Sequence, residues 1–277
     1  MAKAVKQNRY AYVFCVTNQK GGVGKTTTAI NLASALTQLK KKVLLIDLDP
    51  QGNATMGSGV DKNALATSVY ELLLDEVESH DVVKHSESGK YDLWPSNREL
   101  SGADLHLAEL ESRELRLKSA IEKVRHDYDF VLIDCPPSLS LLTLNGLAAA
   151  DGVIVPMQCE YFALEGLSDL MNTIRRVHHN INPDLKMVGL LRVMFDTRIT
   201  LQQQVSSQIE AHFGDKVFKT IIPRNVRLAE APSHGKPGIQ YDKRSRGAKA
   251  YQDFGKEMLD LLQKMKLKSR VQPLGRQ

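Results

Sequence analysis

The run Lys20-Gly21-Gly22-Val23-Gly24-Lys25-Thr26 constrains this chain more than any other because of what flanks it. A short apolar run, Tyr12–Thr17, stands before it, and apolar residues recur at helical spacing from Thr26 to Leu39 after it. A strand, a glycine-rich turn and a helix in that order make a phosphate cradle. The glycines let successive backbone N–H groups point inward, and the helix N-terminus adds partial positive charge. Lys25 is placed to reach the β- and γ-phosphates of a nucleotide, and Thr26 to offer its hydroxyl to Mg²⁺ bridging them, with Thr27 following in the first turn. A glycine-rich turn carrying two solvated lysines is the plainer alternative, but it leaves the order of elements unexplained. The common P-loop spacing asks for glycine where this chain has Gln19, and the neighbouring Lys20 is an additional lysine that such loops do not require. ATP and Mg²⁺ are the expected cofactors.

Around this motif, short β-rich runs alternate with longer helical patterns, the signature of βαβ units. The expected strands are Tyr12–Thr17, Val43–Asp47, Phe130–Asp134, Gly152–Pro156, Met187–Val193 and Val217–Ile222, with a further short one around Leu93. Several are continuous in Val, Ile and Leu, as strands buried on both faces must be. Helices are expected over Thr26–Leu39, Glu99–Arg125, Leu164–Val177, Leu201–Phe213 and Gly247–Lys266, with residues 54–92 an irregular excursion at the sheet's C-terminal edge. The fold class is therefore α/β, a P-loop NTPase-type three-layer sandwich with a mostly parallel twisted sheet and helices on both faces. A single domain over residues 12–266 is expected, with a short disordered basic leader (1–11) and a basic disordered tail (267–277).

No apolar run approaches the roughly 18 to 20 residues of a membrane span, so a cytoplasmic location is expected. Cys15, Cys135 and Cys159 lack ligand-like spacing and read as buried apolar fillers. A net charge of +5 fits a polyanionic partner without proving one.

Two more strands end in acidic residues at the same sheet edge, as Asp47-Leu48-Asp49-Pro50 and Asp134-Cys135-Pro136-Pro137. A carboxylate there can hold a metal through water or orient an attacking water. Asp134 is assigned to the metal through water, Asp49 to water positioning, and Asp47 to support of Mg²⁺ and the lysine from behind. Asp47 taken alone has the capping of the following turn as a lesser alternative, which weakens beside the phosphate cradle.

The stretches Lys20–Thr28, Asp47-Leu48-Asp49-Pro50-Gln51-Gly52-Asn53 and Asp134-Cys135-Pro136-Pro137-Ser138 together make the chain resemble the ParA/Soj family of chromosome and plasmid partitioning ATPases, in the deviant P-loop group that includes MinD and the nitrogenase iron protein. The similarity runs from about Tyr12 to about Leu262, and Ile222–Ser233 is similar to the Soj branch in particular. The resemblance implies an ATP-dependent homodimer that sandwiches two nucleotides, with Lys20 of each subunit reaching the phosphates bound to the other. It further implies binding of double-stranded DNA without sequence preference, association with the nucleoid, and slow hydrolysis stimulated by a ParB-type centromere-binding protein. Carried over by position, DNA-contacting arginines fall on Arg198 and Arg227, and Pro223 and Asn225 border the adenine. Without the resemblance, ordinary solvated surface arginines are the lesser but open alternative for both. Only about eleven residues precede the first strand, so the helix-turn-helix domain of larger plasmid relatives, and sequence-specific autorepression with it, is not expected.

The main rival is a MinD-like membrane-associated switch. Phe254, Met258, Leu261, Leu262 and Met265 recur at helical spacing, with Lys256, Lys264, Lys266 and Lys268 nearby, as an amphipathic membrane helix would. The fold, however, needs a closing helix at that point, so packing is expected and stable membrane association is not. An iron–sulfur reading would need paired cysteines near a dimer axis, and Cys135 has no partner at a convincing spacing. A small-molecule kinase or ligase would need an acceptor pocket that no polar constellation supplies.

Overall fold

A computed structural model describes residues 10–270. Eight strands form one sheet: β1 Tyr12–Val16, β2 Val43–Asp47, β3 Lys84–Ser86, β4 Tyr91–Trp94, β5 Phe130–Asp134, β6 Gly152–Met157, β7 Lys186–Phe195 and β8 Val217–Pro223. Their spatial order is β3-β4-β2-β5-β1-β6-β7-β8. Only the β3–β4 hairpin is antiparallel; the other pairings are parallel. The chain leaves β1 toward β2 on one side and reaches β6 on the other, so β1 borders the topological switch point where open α/β sheets bind ligands.

The period-2 pattern of each central strand divides its side chains between two cores. Val13 and Cys15 of β1, Leu44 and Ile46 of β2, and Val131 and Ile133 of β5 face one core. Phe14, Val16, Val43, Leu45, Phe130 and Leu132 face the other. The first core is covered by the helices Arg116–Val124, Leu141–Ala149, Ala163–Asn180 and Thr200–Phe213, the second by Lys25–Gln38 and Arg246–Arg270. Burial on both faces explains why these strands read as unbroken apolar runs.

The helical pattern expected over Glu99–Arg125 is broken. A 3₁₀ turn at Arg98–Gly102 leads into a helix at Ala103–Ala108, and a second helix, Arg116–Val124, follows a turn in which Ser112 adopts φ 51°. The break is held by buried Asn145, which accepts from Leu117 N at 3.0 Å and donates to the Arg113 carbonyl at 2.7 Å. The helix carrying Asn145, Leu141–Ala149, escapes the sequence reading because it is apolar nearly all round. Within residues 54–92 the short helices Asn53–Gly57 and Val69–Leu73 precede β3, which pairs with the strand expected around Leu93.

The last helix runs through Arg270, beyond the expected boundary of the tail at 267, and the sequence has no proline or glycine between Lys256 and Gln272 to stop it. The rest of the tail and the leader through Arg9 lie outside the described residues. No helix among the described residues is long and apolar enough to cross a membrane.

The apolar stripe of this last helix is spent on packing. Phe254 and Met258 are fully buried, Leu262 is 5% exposed, and the Phe254 ring meets Phe218 of β8 edge-on at 4.9 Å. A side chain so enclosed cannot serve a bilayer without unpacking the sheet. Phe254→Ala is accordingly expected to cost about 3–5 kcal/mol of stability in chemical denaturation. A loss below about 1 kcal/mol would show that the stripe is not a core element.

Candidate nucleotide-binding site

Strand register assembles the site. Val16, the last residue of β1, pairs with Asp134 of β5, and Asp134 pairs with Asp47 of β2. The cradle that follows β1 and the two carboxylates therefore lie side by side, one strand spacing (about 4.8 Å) apart at each step. The chain leaves β1 through Asn18, whose amide donates to the Pro156 carbonyl at 2.8 Å and whose oxygen accepts from Lys20 N at 3.0 Å. Gly22 and Gly24 take φ of 72° and 73°, which side chains rarely adopt, and the helix starts at Lys25 with Gly24 as its N-cap. A Cβ on Gly21 or Gly22 would meet nothing within 4 Å, so the mouth of the cradle is open. Val23 is buried and anchors the loop from below.

Lys25 is 7% exposed, and its ammonium bends back over the loop to donate to the Lys20 carbonyl at 3.0 Å. Burial pushes its pKa down, and the charges of Asp134 and Asp49 partly offset this. Thr26 and Thr27 occupy the first helical turn, both half-buried. Asp134 is fully buried, and neither carboxylate oxygen accepts a hydrogen bond of ordinary geometry. Burial raises its pKa strongly and the charges of Asp47 and Asp49 raise it further, against the opposing effects of Thr26 and Lys25. An orphaned buried carboxylate is costly and calls for a cation.

Asp47 is also fully buried, but it is satisfied. Its Oδ2 accepts from Thr55 N at 2.8 Å and Thr55 Oγ1 at 2.7 Å, and its Oδ1 from Asp49 N at 3.1 Å. Burial nonetheless pushes its pKa up to about 6. Asp49 is half-buried, and its Oδ1 accepts only the short local bond from Gln51 N at 2.9 Å. Among the described residues no cluster of His, Cys, Asp and Glu could cage a metal by itself. That suits Mg²⁺, which keeps water and substrate phosphates as ligands and takes one or two carboxylates from the protein. The residues present fit it, with the Thr26 hydroxyl and, through water, Asp134 as donors. Cys135, next along the chain, points at Cys15, with the two sulfurs 3.2 Å apart, and is not free to ligate.

Lys20 stands outside the cradle. Its side chain is 52% exposed, and its ammonium pairs with Glu160, in the segment after β6, at 2.5 Å. Beside Glu160, Tyr161 and Phe162 are 74% and 69% exposed. Gln158 of the same segment donates to the Gly22 carbonyl at 3.4 Å. Glu160, Gln158 and Thr55 escape the sequence reading; only Thr55, eight residues after Asp47 in the same local unit, left a signal there.

Pro223 and Asn225 lie at the end of β8, three strands (about 14 Å) from β1 on the same sheet edge. Asn225 N-caps the short helix Val226–Glu230, accepting from Leu228 N at 3.3 Å. Arg227 sits in the first turn of that helix, which the Asn225 cap holds in place. Arg198 lies beyond the end of β7, as expected, on the rim of an open cleft of about 760 Å³ that also takes in Arg224, Arg246 and Lys249. The structure thus brings Lys20 through Thr27, Asp47, Asp49 and Asp134 together and places Arg198, Arg227, Pro223 and Asn225 farther along the edge.

The model of the AAA domain (AAA_31) matches residues 11–187. The sporulation initiation inhibitor protein Soj of Bacillus subtilis is 52% identical over 246 residues, 89% of this chain and 97% of that one. The chromosome-partitioning ATPase Soj of Thermus thermophilus is 50% identical over 90% of this chain and 95% of that one. Among solved structures, the cobyrinic acid a,c-diamide synthase of Mycobacterium smegmatis with bound ATP analogue and magnesium superposes with a TM-score of 0.81 at 40% identity, covering 91% of this chain and 96% of that one. With this cradle, these two carboxylates beside it and relatives of half-identical sequence along most of its length, the chain belongs to the ParA/Soj family of chromosome-partitioning ATPases.

Proposed function

We propose that the chain is a nucleotide-gated DNA-partitioning switch, in which an ATP-bound homodimer holds duplex DNA without regard to sequence and hydrolysis, speeded by a ParB-type partner, lets it go. The carrying observation is the division of labour between two lysines. Lys25 is buried and serves its own cradle, whereas Lys20 is exposed on the rim and not needed there. An ammonium so placed can reach phosphates held by a second subunit, which makes dimer stability depend on the γ-phosphate. In the monomer Glu160 occupies Lys20, so dimerisation exchanges one anion for another.

Within each subunit the cradle N–H groups and Lys25 bind and orient the phosphates, and Thr26 and, through water, Asp134 would hold Mg²⁺, which would neutralise charge on the phosphate oxygens. Asp49 orients the attacking water. The relatives that bear partitioning names, together with the cations along the β7–β8 edge, support DNA as the cargo. Arg guanidinium groups bind phosphate well and carry no sequence information.

The test is binding to an arbitrary labelled duplex without nucleotide, with ADP, with ATP, and with ATP and the Asp49→Ala variant. Binding confined to ATP and strongest in the variant is the expected result, and equal or absent binding in all four conditions would remove DNA from the proposal. Arg227→Ala should weaken binding alike on every sequence and flatten the log–log salt dependence by about 0.9 per arginine lost from phosphate.

A further inference from the structure

The arginine at the mouth of the basic cleft already has an anion. Asp196 follows the last residue of β7, and its backbone N–H donates to Gln202 Oε1 at 2.7 Å, which fixes the turn into the helix Thr200–Phe213. Its carboxylate receives three bonds from Arg198. Oδ1 accepts from the backbone N–H at 3.0 Å and from Nε at 2.9 Å, and Oδ2 accepts from a terminal guanidinium nitrogen at 2.7 Å. This is a two-pronged pairing of fork with carboxylate, the geometry with which a guanidinium also takes a phosphate. The Arg198 side chain is 87% exposed while that of Asp196 is 21% exposed, so the acid is the seated partner and the arginine projects outward.

The other cations of the cleft differ. Arg224, Arg246 and Lys249 enter no ion pair among the described residues, while the second acid of the cleft, Asp253, is taken by Lys256 at 2.9 Å. Hydrogen bonds from Arg198 hold the Asp196 carboxyl well below the usual carboxylate range, and the charge of Arg224 adds to this. Asp196 therefore stays ionised throughout the neutral range and acts as a permanent competitor.

We infer that Asp196 sets the strength of DNA binding by occupying the phosphate-reading fork of Arg198. The inference rests on the DNA reading above and adds a residue that works against it. Taken together, Asp196 and Arg198 are electrically neutral, so a backbone phosphate gains little from the pair until the arginine changes partners, and the acid left behind then repels it. Arg224, Arg246 and Lys249, which enter no ion pair among the described residues, make the first contacts. Arg227 is restrained in a similar way, by Glu230 at 2.9 Å and Asp242 at 3.6 Å. A switch that must release its cargo on losing a phosphate is better served by arginines with a carboxylate to return to.

The test compares Asp196→Asn with Asp253→Asn in the full chain, with ATP, on a labelled duplex of arbitrary sequence over a series of KCl concentrations. Asn at 196 keeps the oxygen that accepts from the Arg198 backbone and so preserves the turn. Both variants remove one negative charge from the same cleft, but only the first frees Arg198. Asp196→Asn should bind about 3- to 10-fold tighter than wild type, and more tightly than Asp253→Asn. Its log–log salt slope should steepen by about 0.9 for each Arg198 engaged. A misfolded chain would lose the dependence on ATP, so a gain that still requires ATP separates the proposal from misfolding. If wild type binds DNA and Asp196→Asn binds no tighter than Asp253→Asn, the inference falls. If no protein binds DNA in the presence of ATP, the DNA reading falls, and the inference with it.

Discussion

Lys25→Ala should weaken ATP binding by about 100- to 1,000-fold in calorimetric titration, the range seen when one member of a buried, hydrogen-bonded charge pair is removed. The size of the effect follows from where the ammonium sits. It is 7% exposed, lies over the cradle within reach of the Lys20 carbonyl, and is depressed in pKa by burial, so a phosphate meets it with little competition from water. Alanine would leave the phosphates facing Asp134, a buried carboxylate whose charge Lys25 otherwise offsets. Lys20→Ala should behave differently. Its ammonium is half-exposed and paired with Glu160, so nucleotide affinity should stay within about threefold of wild type, while the ATP-dependent dimer disappears from light scattering. Equal losses of nucleotide binding in the two variants would refute the division of labour between the lysines.

Asp49→Ala should lower ATP hydrolysis by about 100- to 10,000-fold while leaving ATP bound, so that the ATP-bound dimer accumulates. Of the three acids at the sheet edge, Asp49 is the one free to act on water. Asp47 spends both oxygens on Thr55 and the Asp49 backbone, and Asp134 is enclosed with Lys25 and Thr26. Asp49 gives one oxygen to Gln51 N and keeps the other available at a half-buried position. Single-turnover hydrolysis in the presence of DNA is the measurement, since it separates the chemical step from product release. A rate within a few-fold of wild type would move the water-positioning role to another group.

The sequence by itself determined the cradle, because a glycine-rich turn between a strand and a helix is a local arrangement, fixed by φ angles that only Gly22 and Gly24 take up without strain. It determined the central strands for the same kind of reason: runs such as Val43–Asp47 and Phe130–Asp134 are short, apolar and rich in β-branched residues, the pattern of doubly covered strands. It also located the acids at their ends. The order of strands was decided by the tertiary structure. Periodicity tells which face a residue takes and nothing about which strand lies alongside, so the alignment of Val16, Asp134 and Asp47 could not be read in advance. The same limit hid the Glu160 partner of Lys20, 140 residues away, and the Asn145 cap that breaks the helix expected over Glu99–Arg125. It left the stripe of Phe254, Met258 and Leu262 open to a membrane reading until Phe218 and the second core were seen to cover it. Local backbone chemistry is written in neighbouring residues, whereas long-range pairing is settled only when the whole core closes around it.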